Sequence, residues 1–79
     1  MGPKDEELTR FGINARKIRK AKGLSQDDVA TNSNNLTKST VSAIENGKRN
    51  FEFTTFLDLA KGLIISPLEL IKYLEKEDN

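Results

Sequence analysis

The chain has no cysteine and no histidine, and only two prolines and five glycines among its 79 residues. Without thiols there is no disulfide framework and no thiolate metal site, and without imidazole the commonest metal ligand and general base are gone. Catalysis would have to rest on carboxylates, lysines, hydroxyls or the single tyrosine. No acid-base pair or phosphate-binding loop can be assembled from these, so the sequence does not read as an enzyme and implies no cofactor and no metal. Long apolar runs are missing too. Nothing approaches the roughly 18–20 residues that span a bilayer, and the start Met1-Gly2-Pro3-Lys4-Asp5 has no apolar signal core, so a cytoplasmic location is expected. Met1-Gly2 fails as a lipidation start because Glu6 stands where serine or threonine is needed. The Asn35-Leu36-Thr37 glycosylation pattern carries no weight without a secretion signal.

A large net charge is also lacking, since the formal balance is only +1. Its distribution is uneven. From Arg10 to Arg49 there are nine lysines and arginines against three acids, whereas residues from Asn50 onward carry three lysines against six acids. Concentrating cations in one half of a small chain suits a polyanion partner, although a basic helix face can also be plain solvated surface. At 35% hydrophobic residues the chain suffices for one core, and 1–79 is expected to be one domain with 1–7 flexible and 76–79 frayed.

Apolar residues recur at helical, not strand, spacing. Leu8, Phe11, Ala15 and Ile18 mark a first helix, stopped by Gly23. Ser25-Gln26-Asp27-Asp28 is a capping box for a short second helix that carries Val29 and Ala30 inward. Thr31 to Asn35 are turn formers and read as a break. Thr37 caps a third helix with Thr40, Val41 and Ile44 inward, and with Lys38, Ser39, Ser42 and Ala43 outward, before Gly47 ends it. Phe53, Phe56, Leu57, Ala60 and Leu63 define a fourth, and Ser66-Pro67-Leu68-Glu69 starts a fifth through Leu70, Ile71 and Leu74. The fold class is all-α, with five short helices and no strand.

Ile18 to Gln26, Ser39 to Asn50, Phe56-Leu57-Asp58-Leu59-Ala60-Lys61 and Ser66-Pro67-Leu68-Glu69-Leu70 together resemble the Cro/C1-type (XRE-like) helix-turn-helix family of phage repressors, restriction-modification controllers and many antitoxins. The resemblance implies a lambda-repressor-like five-helix domain, with the helix-turn-helix formed by helices 2 and 3, that regulates transcription as a homodimer on a palindromic operator. A B-DNA major groove admits one helix whose outward side chains are small or polar. Thr37, Lys38, Ser39, Ser42 and Ala43 are accordingly the expected base-contacting set, and Arg16, Lys20, Gln26, Asn46, Lys48, Arg49 and Asn50 the expected phosphate contacts. The resemblance also implies a structural ion pair between Arg19 and Glu45. Leu70, Tyr73 and Leu74 are dimer-interface candidates. The competing reading is an antitoxin-type module that binds a toxin and regulates itself through DNA. Against the family pattern the turn Ser33-Asn34-Asn35-Leu36 is one residue longer and lacks a glycine. Ile64 stands where relatives carry a glycine, so Gly62 is expected to serve as the stop of helix 4 instead.

Overall fold

The computed structural model describes the backbone of residues 3–77 and the side chains of residues 6–75. Six helical segments follow in order: α1 (Pro3–Ala21), α2 (Gln26–Ser33), α3 (Lys38–Glu45), α4 (Phe53–Leu63), α5 (Pro67–Ile71) and α6 (Tyr73–Glu77). The fold is all-helical, and there is no strand among the described residues. Among the described residues no helix is long and apolar enough to cross a membrane. The expected fifth helix is interrupted at Lys72, where an i to i+3 bond from the Glu75 amide to the Lys72 carbonyl (3.1 Å) tightens the chain. The first helix starts at Pro3, a position that tolerates proline because its missing N–H has no partner within the helix. The segments expected to be loose, 1–7 and 76–79, thus overlap α1 and α6, and residues 1–2 and 78–79 lie outside the described residues.

α2 packs on α4 and α1 on α3, α2 also meets α3, and α5 closes the end of α1 and α4. Val29, Val41, Ile44, Leu59, Leu63 and Leu70 are fully buried, with Phe11, Ala15 and Ala60 beside them. Two glycines set the close approaches. A Cβ on Gly62 would lie 2.4 Å from the Val29 carbonyl oxygen, and one on Gly12 would lie 2.4 Å from that of Ile44. Gly62 is therefore a contact point inside α4 and not its stop. The stop is Ile64, in the left-handed region at φ 58°, ψ 48°.

The expected break at Thr31 begins later, because α2 continues through Ser33. Its polar side chains do not compete with the helix: Asn32 Nδ2 donates across to the Gly62 carbonyl (3.1 Å), and Ser33 Oγ donates back to the Ala30 carbonyl (2.8 Å). Asn34, at φ 71°, supplies the left-handed cap that a glycine would otherwise give. The buried Ser33 hydroxyl also accepts from the amides of Asn35 (3.3 Å) and Leu36 (2.9 Å). Asn35 Nδ2 reaches Asp58 on α4 at 3.1 Å. These bonds fix the longer turn, and with it the direction in which α3 leaves.

The capping box of α2 is complete. The Ser25 amide donates to Asp28 Oδ2 (2.8 Å) and the Asp28 amide to Ser25 Oγ (3.0 Å). The first of these bonds, helped by the Ser25 hydroxyl, holds the Asp28 carboxyl below the usual carboxylate range.

Gly62→Ala is expected to lower stability by about 1–3 kcal/mol through overpacking, which a thermal melt will read as a clear fall in Tm. Because the folded Asp28 pKa lies below the unfolded one, its stabilisation is complete above the unfolded value of about 3.9 and disappears as pH falls through the folded value. Asp28→Asn is therefore expected to flatten the acid limb of a stability-pH curve, and an unchanged slope would contradict this.

Candidate nucleic-acid interface

The third helix is short, eight residues, and amphipathic: Val41 and Ile44 point into the core while Lys38 and Ser39 are exposed and Ser42 and Ala43 half-buried. Thr37 closes its first turn by accepting from the Thr40 amide at 3.1 Å, and its hydroxyl lies 3.0 Å from that of Thr40. Its hydroxyl is thus engaged in the cap. Thr40, expected inward, is half-buried. Asn46 caps the other end of the helix and its Nδ2 donates to Ser42 Oγ at 3.4 Å.

The orientation of this helix is held by a buried carboxylate. Arg19 Nε donates to Glu45 Oε2 (2.6 Å) and Nη2 to Glu45 Oε1 (3.1 Å), while Nη1 donates to the Leu24 carbonyl (2.9 Å). Gln26 Nε2 donates to the same Oε1 at 3.0 Å. One carboxylate thereby gathers α1, the start of α2 and the end of α3. Both charged side chains are largely withdrawn from solvent. The hydrogen bond to Glu45 raises the Arg19 pKa, partly offset by burial and reinforced by the nearby negative charge.

Around the exposed side of α3 the cations fall into two groups. Arg16, Lys20, Gln26, Lys38 and Asn46 line one open cleft of about 470 Å³, together with Arg19, Ser25 and Asp27. Five of the expected contact residues, drawn from three helices, converge there. Asp27 was not foreseen. Its carboxylate lies 3.9 Å from Lys38 Nζ with both groups exposed, a pair too solvated to hold firmly. The second group is the loop Lys48-Arg49-Asn50. Arg49 and Asn50 line a separate depression with Thr40, Phe51, Glu52 and Thr55. Phe51 anchors this loop, its ring 5.1 Å from that of Phe11, and the Phe51 amide donates to Asn50 Oδ1 at 2.9 Å. Ser25, Thr40 and Thr55 are hydroxyls at these depressions that charge patterning could not reveal, because their placement depends on tertiary contacts.

One of the dimer-interface candidates needs correction. Leu70 is 0% exposed in the core and has no surface to offer a partner. Its carbonyl accepts from Asn14 Nδ2 at 3.0 Å, which ties α5 to α1. Tyr73 is half-buried, with the Arg10 guanidinium 6.0 Å from its ring centre. Of the three, only Leu74 is exposed.

Glu45→Ala would leave Arg19 buried without its partner and is expected to cost about 3 kcal/mol. Thermal melts and duplex titrations on the same protein should show stability falling more than intrinsic DNA affinity, and an unchanged Tm would contradict the role assigned to the pair.

Residues 16–70 match the helix-turn-helix family model. The chain is 41% identical over 69 residues to the control protein C.MunI of a Mycoplasma species, covering 86% of this chain and 92% of the relative. It superposes on the restriction-modification controller protein C.AhdI from Aeromonas hydrophila with a TM-score of 0.76 and 43% identity, covering 82% of this chain and 97% of that one. It also matches the controller protein C.Esp1396I, seen as a tetramer in complex with its natural 35 base-pair operator, with a TM-score of 0.79 and 34% identity over 89% of this chain and 91% of that one. With an exposed polar third helix flanked by cations, a capped second helix and this set of relatives, the chain belongs to the Cro/C1-type helix-turn-helix family of DNA-binding transcription regulators.

Proposed function

We propose that this chain is a controller of restriction-modification genes that binds a palindromic operator as a dimer and acts there as a repressor or autoregulator. The observation that carries the reading is the convergence of Arg16, Lys20, Gln26, Lys38 and Asn46 on one cleft beside the exposed face of α3. Lys38 and Ser39 are the most exposed side chains of that face and read base edges, Lys38 at guanine O6 or N7. Ser42 and Ala43, half-buried behind them, set how closely the helix approaches the groove floor. Thr37 contributes mainly through its cap.

Arg16, Lys20 and Asn46 take phosphates on one flank, and Lys48, Arg49 and Asn50 take them on the other. Gln26 spends one N–H on Glu45 and keeps its remaining amide atoms for the backbone of the duplex. Operator-bound C.Esp1396I shows that a relative assembles on DNA as an oligomer, and two copies of this chain would place their third helices about 34 Å apart in successive major grooves. The role is one of binding and not of catalysis.

Selection of duplexes from a random pool, followed by salt titration of the enriched site, tests this reading. Paired half-sites one helical turn apart and a steep loss of affinity with salt are expected. Replacing Lys48 and Arg49 together by alanine should reduce the log-log salt slope by about 2 while leaving sequence preference intact. Failure to enrich any duplex at low ionic strength overturns the proposal.

A further inference from the structure

The cations that line the cleft beside α3 are not equivalent. Arg19 is spent on the Glu45 carboxylate. Arg16 and Lys20, on α1, are exposed and form no ion pair among the described residues. Lys38, which belongs to α3, is different. The carboxylate of Asp27 lies 3.9 Å from its Nζ, with the lysine side chain 62% and the aspartate side chain 72% exposed.

Asp27 has no task in holding its own helix. The start of α2 is closed by Ser25 and Asp28, which exchange both bonds of the capping box, and Asp28 already sets a negative charge against the helix dipole. The Asp27 carboxylate accepts no hydrogen bond among the described residues. It is the one acid lining this cleft, and the cation it stands beside is the one on the third helix.

A pair this exposed adds little to stability, and its two charges separate readily. Its effect lies in what each newcomer to Lys38 meets. A phosphate oxygen that reaches the ammonium from the side of Asp27 comes close to a like charge, and two such charges about 4 Å apart weaken binding roughly fivefold even at the dielectric of water. Guanine O6 and N7 belong to a neutral base and meet no such repulsion. We infer that Asp27 is a specificity-determining residue, whose carboxylate denies Lys38 to phosphate oxygens and leaves it to the neutral acceptors of a base edge. The selection works by repelling the wrong ligand and not by adding a contact to the right one. It weighs most on duplexes that lack the operator sequence, where binding rests on phosphates alone and an unopposed lysine would take one more. The inference rests on the regulatory reading above, in which Lys38 reads a base.

The test titrates two probes of equal length, the duplex enriched from the random pool and a scrambled version of it, with the full chain and with Asp27→Asn. That substitution keeps the shape of the side chain and leaves the cap made by Ser25 and Asp28 intact. It should tighten binding to the scrambled duplex about tenfold and to the enriched one less than about threefold. On the scrambled duplex the log-log salt slope should steepen by about 1 per bound copy, as Lys38 gains a phosphate, with no change on the enriched duplex. Glu69→Gln, the same loss of charge in the first turn of α5, should alter neither. In a Lys38→Ala background Asp27→Asn should no longer change the ratio of the two affinities. Equal tightening on both duplexes, the same effect from Glu69→Gln, or a ratio that still shifts without Lys38 overturns the inference. A wild type that binds both probes equally sinks the regulatory reading and the inference with it, whereas a preference for the enriched duplex that Asp27→Asn leaves unchanged sinks the inference alone.

Discussion

The carboxylate of Glu45 is the point on which the arrangement of the first three helices depends. It is withdrawn from water, so its charge must be met by groups within the fold, and Arg19 and Gln26 meet it from two different helices. Each of these donors sits beside residues that face the basic cleft. The position of Lys38 relative to Arg16 and Lys20 is therefore not set by the cations themselves, which are exposed and repel one another. It is set by the neutralised cluster beneath them. The separation of duties is physically sensible: buried charges fix geometry because they cannot be resolvated cheaply, while exposed charges stay free to exchange water for phosphate.

Much of the fold was legible from the chain alone. The capping box at Ser25, the Thr37 cap, the Ser66-Pro67 start and the apolar rows of α1 and α4 are local signals, and local signals survive in the folded state. What could not be read depends on contacts between distant residues. Asn32 and Ser33 look like turn formers until Gly62 and the Ala30 carbonyl take their hydrogen bonds. Gly62 looks like a helix stop until its closeness to Val29 is known. Leu70 looks like one member of an apolar stripe, and only packing decides that it lies inside while Leu68 lies outside.

The candidate site divides along the same line. Helix periodicity placed Lys38 and Ser39 on an exposed face, and charge counting marked Arg16 and Lys20. Neither could show that the cations separate into two depressions or that Asp27 stands beside Lys38. A negative group among cations is invisible to a net count, yet it lowers the local potential where a polyanion would arrive.

The anchoring of Phe51 against Phe11 has a thermodynamic consequence for the loop before it. Only three residues, Lys48 to Asn50, span the gap from Gly47 to the half-buried Phe51 ring, and Asn50 is further tied by its own side chain. A tether this short samples few backbone states, so little conformational entropy is left to surrender when a partner immobilises it. In the proposed complex the favourable energy of its two cations would then be largely retained as affinity.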